Sequence, residues 1–418
     1  MNPKDAVVGL DVGTTKICTV VGRPTSDGML EVLGVGLEPA EGLKRGVVVD
    51  VENTTQAIGS AIRRAEGMAG ASIRSGFVGI TGDHVSSLNV TGRTSVSGGQ
   101  EATPEDCDRA LQAARDNVGN LGPNREIIHI IPREYVLDGQ RGIKSPVGMA
   151  GMHLEVKTHV VTGMSSIMTN VRRCVEANDV EVAEMVLEPV ATAEATLTES
   201  ERDLGVALID VGGGTTDIAI FIDGAICHTS AIGIGGMHIT RDVAIGLRVP
   251  RQEAEKLKVR AGHALPGGIS ESERVSAEVA GTGEIEHVPR RLLAEIIEAR
   301  VEELFSLVSA DLQRSGAYGL VGGVVLSGGA SQLPGLAEAA SKLLGGIRVR
   351  LGTPRHLTGL ASHVANPIYA TAVGLAMYGA AAAPRMHLPA PMVASEGWYA
   401  RLRERLQDII RRVRQAGA

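Results

Sequence analysis

One pattern constrains this chain more than any other, because it occurs once in each half. Val7-Val8-Gly9-Leu10 reads as a buried strand, ends in Asp11-Val12-Gly13-Thr14-Thr15-Lys16, and is followed by a second β-rich run from Ile17 to Val21. Val206-Ala207-Leu208-Ile209 leads in the same way into Asp210-Val211-Gly212-Gly213-Gly214-Thr215-Thr216-Asp217, then Ile218-Ala219-Ile220-Phe221. β-Branched residues suit strands, and the small-residue turn between each pair predicts a hairpin. Glycines let successive backbone N–H groups approach an anion closely. Threonine hydroxyls add donors, and Lys16 adds a compact charge for phosphate oxygens. An Asp at each strand end suits Mg²⁺ held through its water shell. One Gly-rich hairpin is usually only a hairpin. Two matching copies predict a duplicated α/β unit that holds phosphate between its halves.

Each copy has a downstream partner. Met185-Val186-Leu187-Glu188-Pro189-Val190-Ala191-Thr192-Ala193-Glu194-Ala195 follows the first, and Asn366-Pro367-Ile368-Tyr369-Ala370-Thr371-Ala372-Val373-Gly374-Leu375-Ala376 follows the second. Pro at a helix start and small residues at four-residue spacing (Ala191/Ala195, Ala370/Gly374) predict two helices that cross closely, though ordinary tight packing gives the same pattern. Gly323-Val324-Val325-Leu326 reads as a further buried strand. It ends in Ser327-Gly328-Gly329-Ala330-Ser331, a turn on which an adenosine can lie. Glu255 and Lys258 share one face of a predicted helix, and on spacing alone they are a surface ion pair.

The end of the chain is different in kind. Gly397 to Ala418 holds six arginines (401, 403, 405, 411, 412, 414) against Glu404 and Asp408, in a chain whose net charge is −7. On a helical wheel Trp398, Tyr399, Leu402, Leu406, Ile409, Ile410 and Val413 fall within an arc of about 120° that contains no charge. The segment before it carries Pro384, Pro389 and Pro391 and reads as an extended linker. A basic amphipathic helix on such a linker suits the interface of an anionic membrane. Elsewhere no apolar run is long enough to span a bilayer. The negative net charge and the scarcity of aromatics (one Trp, five Tyr, three Phe) argue against nucleic acid. Four dispersed cysteines and scattered histidines suggest neither a disulfide framework nor a zinc site. The N-terminus shows no signal-peptide pattern, so a cytoplasmic protein is expected.

With these residues in place, the chain resembles the actin, Hsp70 and sugar-kinase superfamily from about residue 6 to residue 379. Asp11 to Lys16 and Asp210 to Asp217 are similar to its two phosphate motifs, and Val324 to Leu336 to its adenosine motif. One stretch is more specific. Ile127-Ile128-His129-Ile130-Ile131-Pro132-Arg133-Glu134-Tyr135, Asp138-Gly139-Gln140 and Pro146-Val147-Gly148-Met149-Ala150-Gly151-Met152 resemble the subdomain peculiar to the FtsA family of bacterial cell-division proteins. The linker and tail are similar to that family's membrane-targeting end.

The resemblance implies an α/β, actin-like fold of two ribonuclease-H-like halves around an ATP cleft, with an FtsA-type 1C insert and a C-terminal amphipathic helix. Subdomain 1A would take residues 1–83 and 162–203, 1C 84–161, 2A 204–231 and 301–379, and 2B 232–300. The linker would be 380–396 and the membrane helix 397–418. Asp11 and Asp210 would face Mg²⁺ through water. Gly13, Thr14, Thr15 and Lys16, with Gly212, Gly213, Gly214 and Thr215, would hold phosphates, and Gly235 and Gly236 a further phosphate or ribose contact. Glu255 and Lys258 would meet ribose and adenine, with Gly328 and Gly329 beneath the base. Glu188 is the candidate for orienting the attacking water, in a family of poor ATPases. The implied job is an ATP-binding protein that polymerises at the cytoplasmic face of the inner membrane, at the division septum. There it would tether the FtsZ ring, binding the FtsZ C-terminal peptide through 2B and later division proteins through 1C. The Arg/Lys-rich stretch from Arg241 to Arg260, with Arg248 and Arg251, suits an acidic peptide. Two alternatives stay open: a sugar-kinase-like phosphotransferase using Asp217, and a pilus-assembly ATP-binding scaffold.

Overall fold

The computed structural model describes residues 6–99, 101–281 and 283–382. The expected amphipathic helix, with Trp398, Tyr399, Leu402, Leu406, Ile409, Ile410 and Val413, and the expected linker from residue 383 onward lie outside the described residues. The body falls into two halves with one sheet each, and the two sheets repeat one topology. In the first, the antiparallel meander Val7–Val12, Lys16–Pro24 and Leu30–Pro39 continues on its other side into the parallel strands Ser75–Ile80 and Glu181–Leu187. In the second, the meander Val206–Val211, Thr216–Ile222 and Ala225–Ile232 continues into the parallel strands Gly323–Ser327 and Val349–Leu351. The duplication read from the two Asp-Gly-Thr turns is therefore a duplication of whole sheets. Strand Leu357–Gly359 then returns to the first sheet and pairs with Leu30–Pro39.

Helices cover these sheets by simple amphipathic logic. Helix Val51–Ala69 starts at Asp50, whose carboxylate accepts from the Asn53 N–H, and stops at Gly70 in the left-handed region. It buries Thr54, Ile58, Ala61, Ile62 and Ala65, one stripe at helical spacing. Each fully buried Ile in that stripe contributes roughly 2 kcal/mol of transfer free energy. The long helix Arg290–Arg314 does the same for the second half with Leu293, Ile297, Val301, Leu304, Phe305, Val308 and Leu312.

The two predicted small-residue helices, Glu188–Thr196 and Ala370–Ala382, do cross closely. A Cβ added at Gly374 would stand 1.9 Å from the carbonyl oxygen of Ala191. The second helix runs on through Ala380–Ala382, where a linker is expected from the sequence, because alanine is the strongest helix former.

Between residues 84 and 164 a separate four-stranded antiparallel sheet forms from Ser86–Ser95, Arg125–Leu137, Gln140–Ile143 and His153–Met164. Helix Pro104–Asp116 covers one face, started by a capping box between Thr103 and Asp106. This insert leans on both halves. His159 Nε2 lies 2.9 Å from Thr229 Oγ1, and Ser87 Oγ donates to the Thr229 carbonyl at 2.8 Å, on the outer strand of the second sheet. Against the first half, Asn124 accepts from the Ser166 N–H at 3.1 Å, Ile128 packs on the first core, and His129 accepts from the N–H of Leu187 at 3.0 Å. A second excursion, between strand Ala225–Ile232 and helix Arg290–Arg314, carries helices Gly236–Leu247 and Arg251–Ala261 and the hairpin Arg274–Glu278/Ile285–Pro289.

Candidate functional site

The two Gly-Thr turns are built alike. The Gly13 N–H donates to the Lys16 carbonyl at 3.0 Å, and the Gly212 N–H donates to the Thr215 carbonyl at 3.0 Å. They face each other at close range: a Cβ on Gly213 would lie 2.3 Å from Thr15 Oγ1, and one on Gly214 2.7 Å from Thr14 Oγ1. Glycine is required there because the loops meet backbone to side chain. Above them opens a cleft of about 780 Å³, lined from both halves, within the size range of small-molecule sites.

The cleft gathers most of the residues expected to bind nucleotide. Asp11, Gly13, Thr14, Thr15, Lys16 and Glu188 line it from the first half. Asp210, Gly212, Gly213, Gly214, Thr215, Gly236, Glu255, Lys258, Gly328 and Gly329 line it from the second. Gly235 stands just behind: its N–H donates to His238 Nδ1, while the Gly236 N–H donates to the Gly212 carbonyl at 2.9 Å. The amides of Gly13, Gly212, Gly235 and Gly236 thus serve the loops themselves. That leaves the turn tips, residues 14–15 and 213–214, to meet an anion.

The structure disperses the basic stretch from Arg241 to Arg260. Arg251 lines the cleft and Lys258 is anchored inside it, donating to Gly236 O at 3.2 Å, Thr240 Oγ1 at 2.9 Å and Glu255 Oε2 at 2.7 Å. Arg260 is paired with Glu253 at 3.4 Å. Helix Arg251–Ala261 points its charges in several directions, so the stretch is not one basic face. Arg248 is exposed, in the left-handed turn that ends helix Gly236–Leu247.

Arg251 and Lys258 bring positive charge to one part of the lining, but around Glu188 carboxylates outnumber cations. Asp11, Asp210, Asp217 and Glu188 share the cleft floor with one ammonium, Lys16, which pairs with Asp11. Burial disfavours the charge on Lys16, but Asp11, Cys18 and Glu188 together outweigh it and the net shift is upward. Burial pushes Asp210 up to about 6, with Lys16 pulling down and Asp11 pushing up. Hydroxyls from both crossing helices, Thr192 at 3.1 Å and Thr371 at 3.4 Å, donate to Asp210 Oδ2. Burial also raises Asp217, which accepts from Thr81 of the first half and from Thr215 at 3.3 Å. Those bonds occupy the carboxylate that a phosphotransferase would need as its base. Glu188 is driven well above the ordinary carboxylate range, first by burial and then by Asp11, Asp217 and Asp210. Its Oε1 is buried and meets no hydrogen-bond partner.

Thr81, Thr192, Thr371 and Thr240, which bonds Glu255 and Lys258, are among the site residues that sequence reasoning missed. A signal for Thr192 and Thr371 was present: the tripeptide Ala-Thr-Ala occurs in both crossing helices, at 191–193 and 370–372. Among the described residues no group of three or more His, Cys, Asp or Glu side chains forms a ready-made metal site, and no helix is long and apolar enough to cross a membrane.

Two duplicated sheets, two facing phosphate-type turns and a cleft crossed by paired small-residue helices define an actin-like fold. Solved structures agree. The PilM–PilN type IV pilus biogenesis complex matches with a TM-score of 0.67 at 16% identity, covering 90% of this chain and 98% of that one. MreB5 of Spiroplasma citri bound to ADP matches with a TM-score of 0.56 at 13% identity, covering 93% and 100%. The sequence relatives are closer. The profile for "Cell division protein FtsA" matches residues 207–374, and that for "SHS2 domain inserted in FTSA" matches 82–162. Cell division protein FtsA of Pseudomonas aeruginosa is 45% identical over 374 residues, 89% of each chain. That of Escherichia coli K12 is 36% identical over 381 residues, 89% of this chain and 90% of the relative. That of Bacillus subtilis 168 is 38% identical over 379 residues, 90% and 84%. This chain belongs to the FtsA family and is a cell-division protein of actin-like fold.

Proposed function

We propose that the protein binds ATP with Mg²⁺ in this cleft, polymerises at the cytoplasmic face of the inner membrane at the division septum, and tethers the FtsZ ring there. The observation that carries the nucleotide reading is the cleft floor: four carboxylates to one ammonium, with Glu188 Oε1 buried and unpartnered. Such a floor suits a hard divalent cation, which takes oxygen ligands and keeps several waters. Asp11 and Asp210 would hold the ion through its water shell, and the ion would neutralise phosphate charge. The turn tips and Lys16 would bind phosphates, Glu255 and Lys258 the ribose and adenine, and Gly328 and Gly329 the underside of the base. Glu188 is the candidate for holding the attacking water, because a carboxylate accepts its proton. It is a poor base while its own proton is held so tightly, which supports weak hydrolysis.

The tether reading rests on family membership and on the basic amphipathic segment 397–418. A net +4 and a seven-residue apolar stripe give reversible membrane binding, and many copies in a filament give avidity. In this reading the 232–300 excursion receives the FtsZ C-terminal peptide, with Arg248 a contact, and the insert serves self-association and later division proteins. Co-sedimentation with anionic vesicles tests it, with and without ATP. The intact protein should pellet, more so with ATP, and a Trp398→Glu/Leu406→Glu variant should stay in solution. Equal pelleting of both proteins would refute the anchor.

A further inference from the structure

The motif that singles out the insert, Ile127-Ile128-His129-Ile130-Ile131-Pro132, has no role in the cleft itself: none of the lining residues lies between 84 and 164. One member of it nevertheless reaches toward the cleft. Strand Glu181–Leu187 is the outermost strand of the first sheet, so one side of its backbone lacks a neighbouring strand. His129, on insert strand Arg125–Leu137, closes that edge at its last residue. Its Nε2 accepts from the Leu187 N–H at 3.0 Å, and the ring is buried. The next residue is Glu188, the first of helix Glu188–Thr196, whose buried Oε1 has no partner.

The surroundings of the ring link it to the other crossing helix. Glu184 Oε1 lies 3.9 Å from His129 Nδ1 and accepts from Tyr378 Oη at 2.9 Å. The Tyr378 ring stands edge-on to His129 with centroids 6.3 Å apart. Tyr378 belongs to helix Ala370–Ala382, which carries Thr371 to Asp210. One imidazole of the insert is thus bonded to the start of one crossing helix and packed against the other. Burial holds the ring neutral, down to about 4, so its acceptor nitrogen persists at physiological pH.

We propose that His129 is a positioning residue: it fixes the Leu187–Glu188 junction, and so ties the insert to the metal side of the nucleotide cleft. The inference rests on the cleft binding a magnesium nucleotide. Partners that groups such as Glu188 and its neighbours rely on for orientation matter to affinity even without touching the ligand. The consequence runs both ways. Whatever displaces the insert loosens Glu188, and a magnesium nucleotide that engages Glu188 stiffens the insert.

The test uses the full-length protein and ADP as probe, with affinity measured by calorimetry in Mg²⁺ and again in EDTA. His129→Gln keeps an acceptor near the place of Nε2, whereas His129→Leu keeps bulk and removes it. His129→Leu should weaken ADP binding in Mg²⁺ by on the order of tenfold, the lower end for loss of such a partner, and leave the EDTA affinity within about twofold. His129→Gln should restore most of the loss. In the wild type, Mg²⁺ and ADP together should slow hydrogen exchange in Arg125–Leu137, and ADP in EDTA should not. That comparison holds whether or not the Leu variant folds. Identical magnesium dependence in all three proteins, or no exchange change in the insert strand, overturns the role of His129. ADP bound by none of them overturns the nucleotide reading instead.

Discussion

Asp210 is a residue that the free protein tolerates rather than needs, and replacing it with asparagine makes the point measurable. Its carboxyl is raised from the ordinary 3.8 to about 6 by burial, with Asp11 adding to the shift. Between those values the folded chain keeps a proton that the unfolded chain has released. Folded protein therefore binds more protons than unfolded protein across that window, and stability falls as pH rises through it. The full difference, set by 3.8 and about 6, is worth about 3 kcal/mol at pH 7.5. Asp210→Asn removes the buried charge and keeps an oxygen to accept from Thr192 and Thr371. Urea unfolding of the ligand-free protein at pH 7.5 should show the variant more stable by about 2 kcal/mol, some of the gain being lost to imperfect amide geometry. Near pH 4 the wild-type carboxyl is protonated in the fold, and the gain should nearly vanish. ADP with Mg²⁺ should stabilise the wild type and not the variant, since the same carboxylate would serve the ion's water shell. A variant less stable than wild type at pH 7.5, or a gain equal at pH 4 and pH 7.5, would refute the claim that the buried charge is a cost carried for a ligand.

Lys16→Met should destabilise the free protein by about 3 kcal/mol in urea unfolding, because it strands the buried Asp11 carboxylate. Gly374→Ala should cost about 2 kcal/mol and weaken ADP binding, since its Cβ would stand 1.9 Å from the Ala191 carbonyl and force the crossing helices apart. Equal ADP affinity in that variant would mean the crossing does not set the cleft. Arg251→Glu should weaken ADP binding by calorimetry severalfold, as expected of a cleft-lining cation. A loss of acidic-peptide binding with intact ADP affinity would return that residue to the partner surface.

How much of this was legible in the sequence depends on how local each signal is. The two Asp-Gly-Thr turns were readable because everything they require is contiguous in the chain, from Val7 to Val21 and from Val206 to Phe221: apolar strand, acid, small turn, strand. The crossing helices were readable for the same reason, since Pro at the start and small residues four apart are local marks of a close approach. Thr81 was not readable. It follows strand Ser75–Ile80 and meets Asp217, 136 residues away, across the two halves. No periodicity in either segment records that meeting. The cleft position of Arg251 was not readable for a related reason. Charge counting sees a basic stretch, but helix Arg251–Ala261 turns Arg251 and Lys258 to the cleft and Arg260 to Glu253, so its composition says nothing about which side each faces. His129 shows the limit from the other direction. Its motif was distinctive enough to point to a family, yet its bond is to a backbone amide 58 residues on, at an edge that exists only after Glu181–Leu187 has joined the sheet. Backbone amides carry no sequence signature. A buried ring whose acceptor meets one is invisible until the sheet order is known.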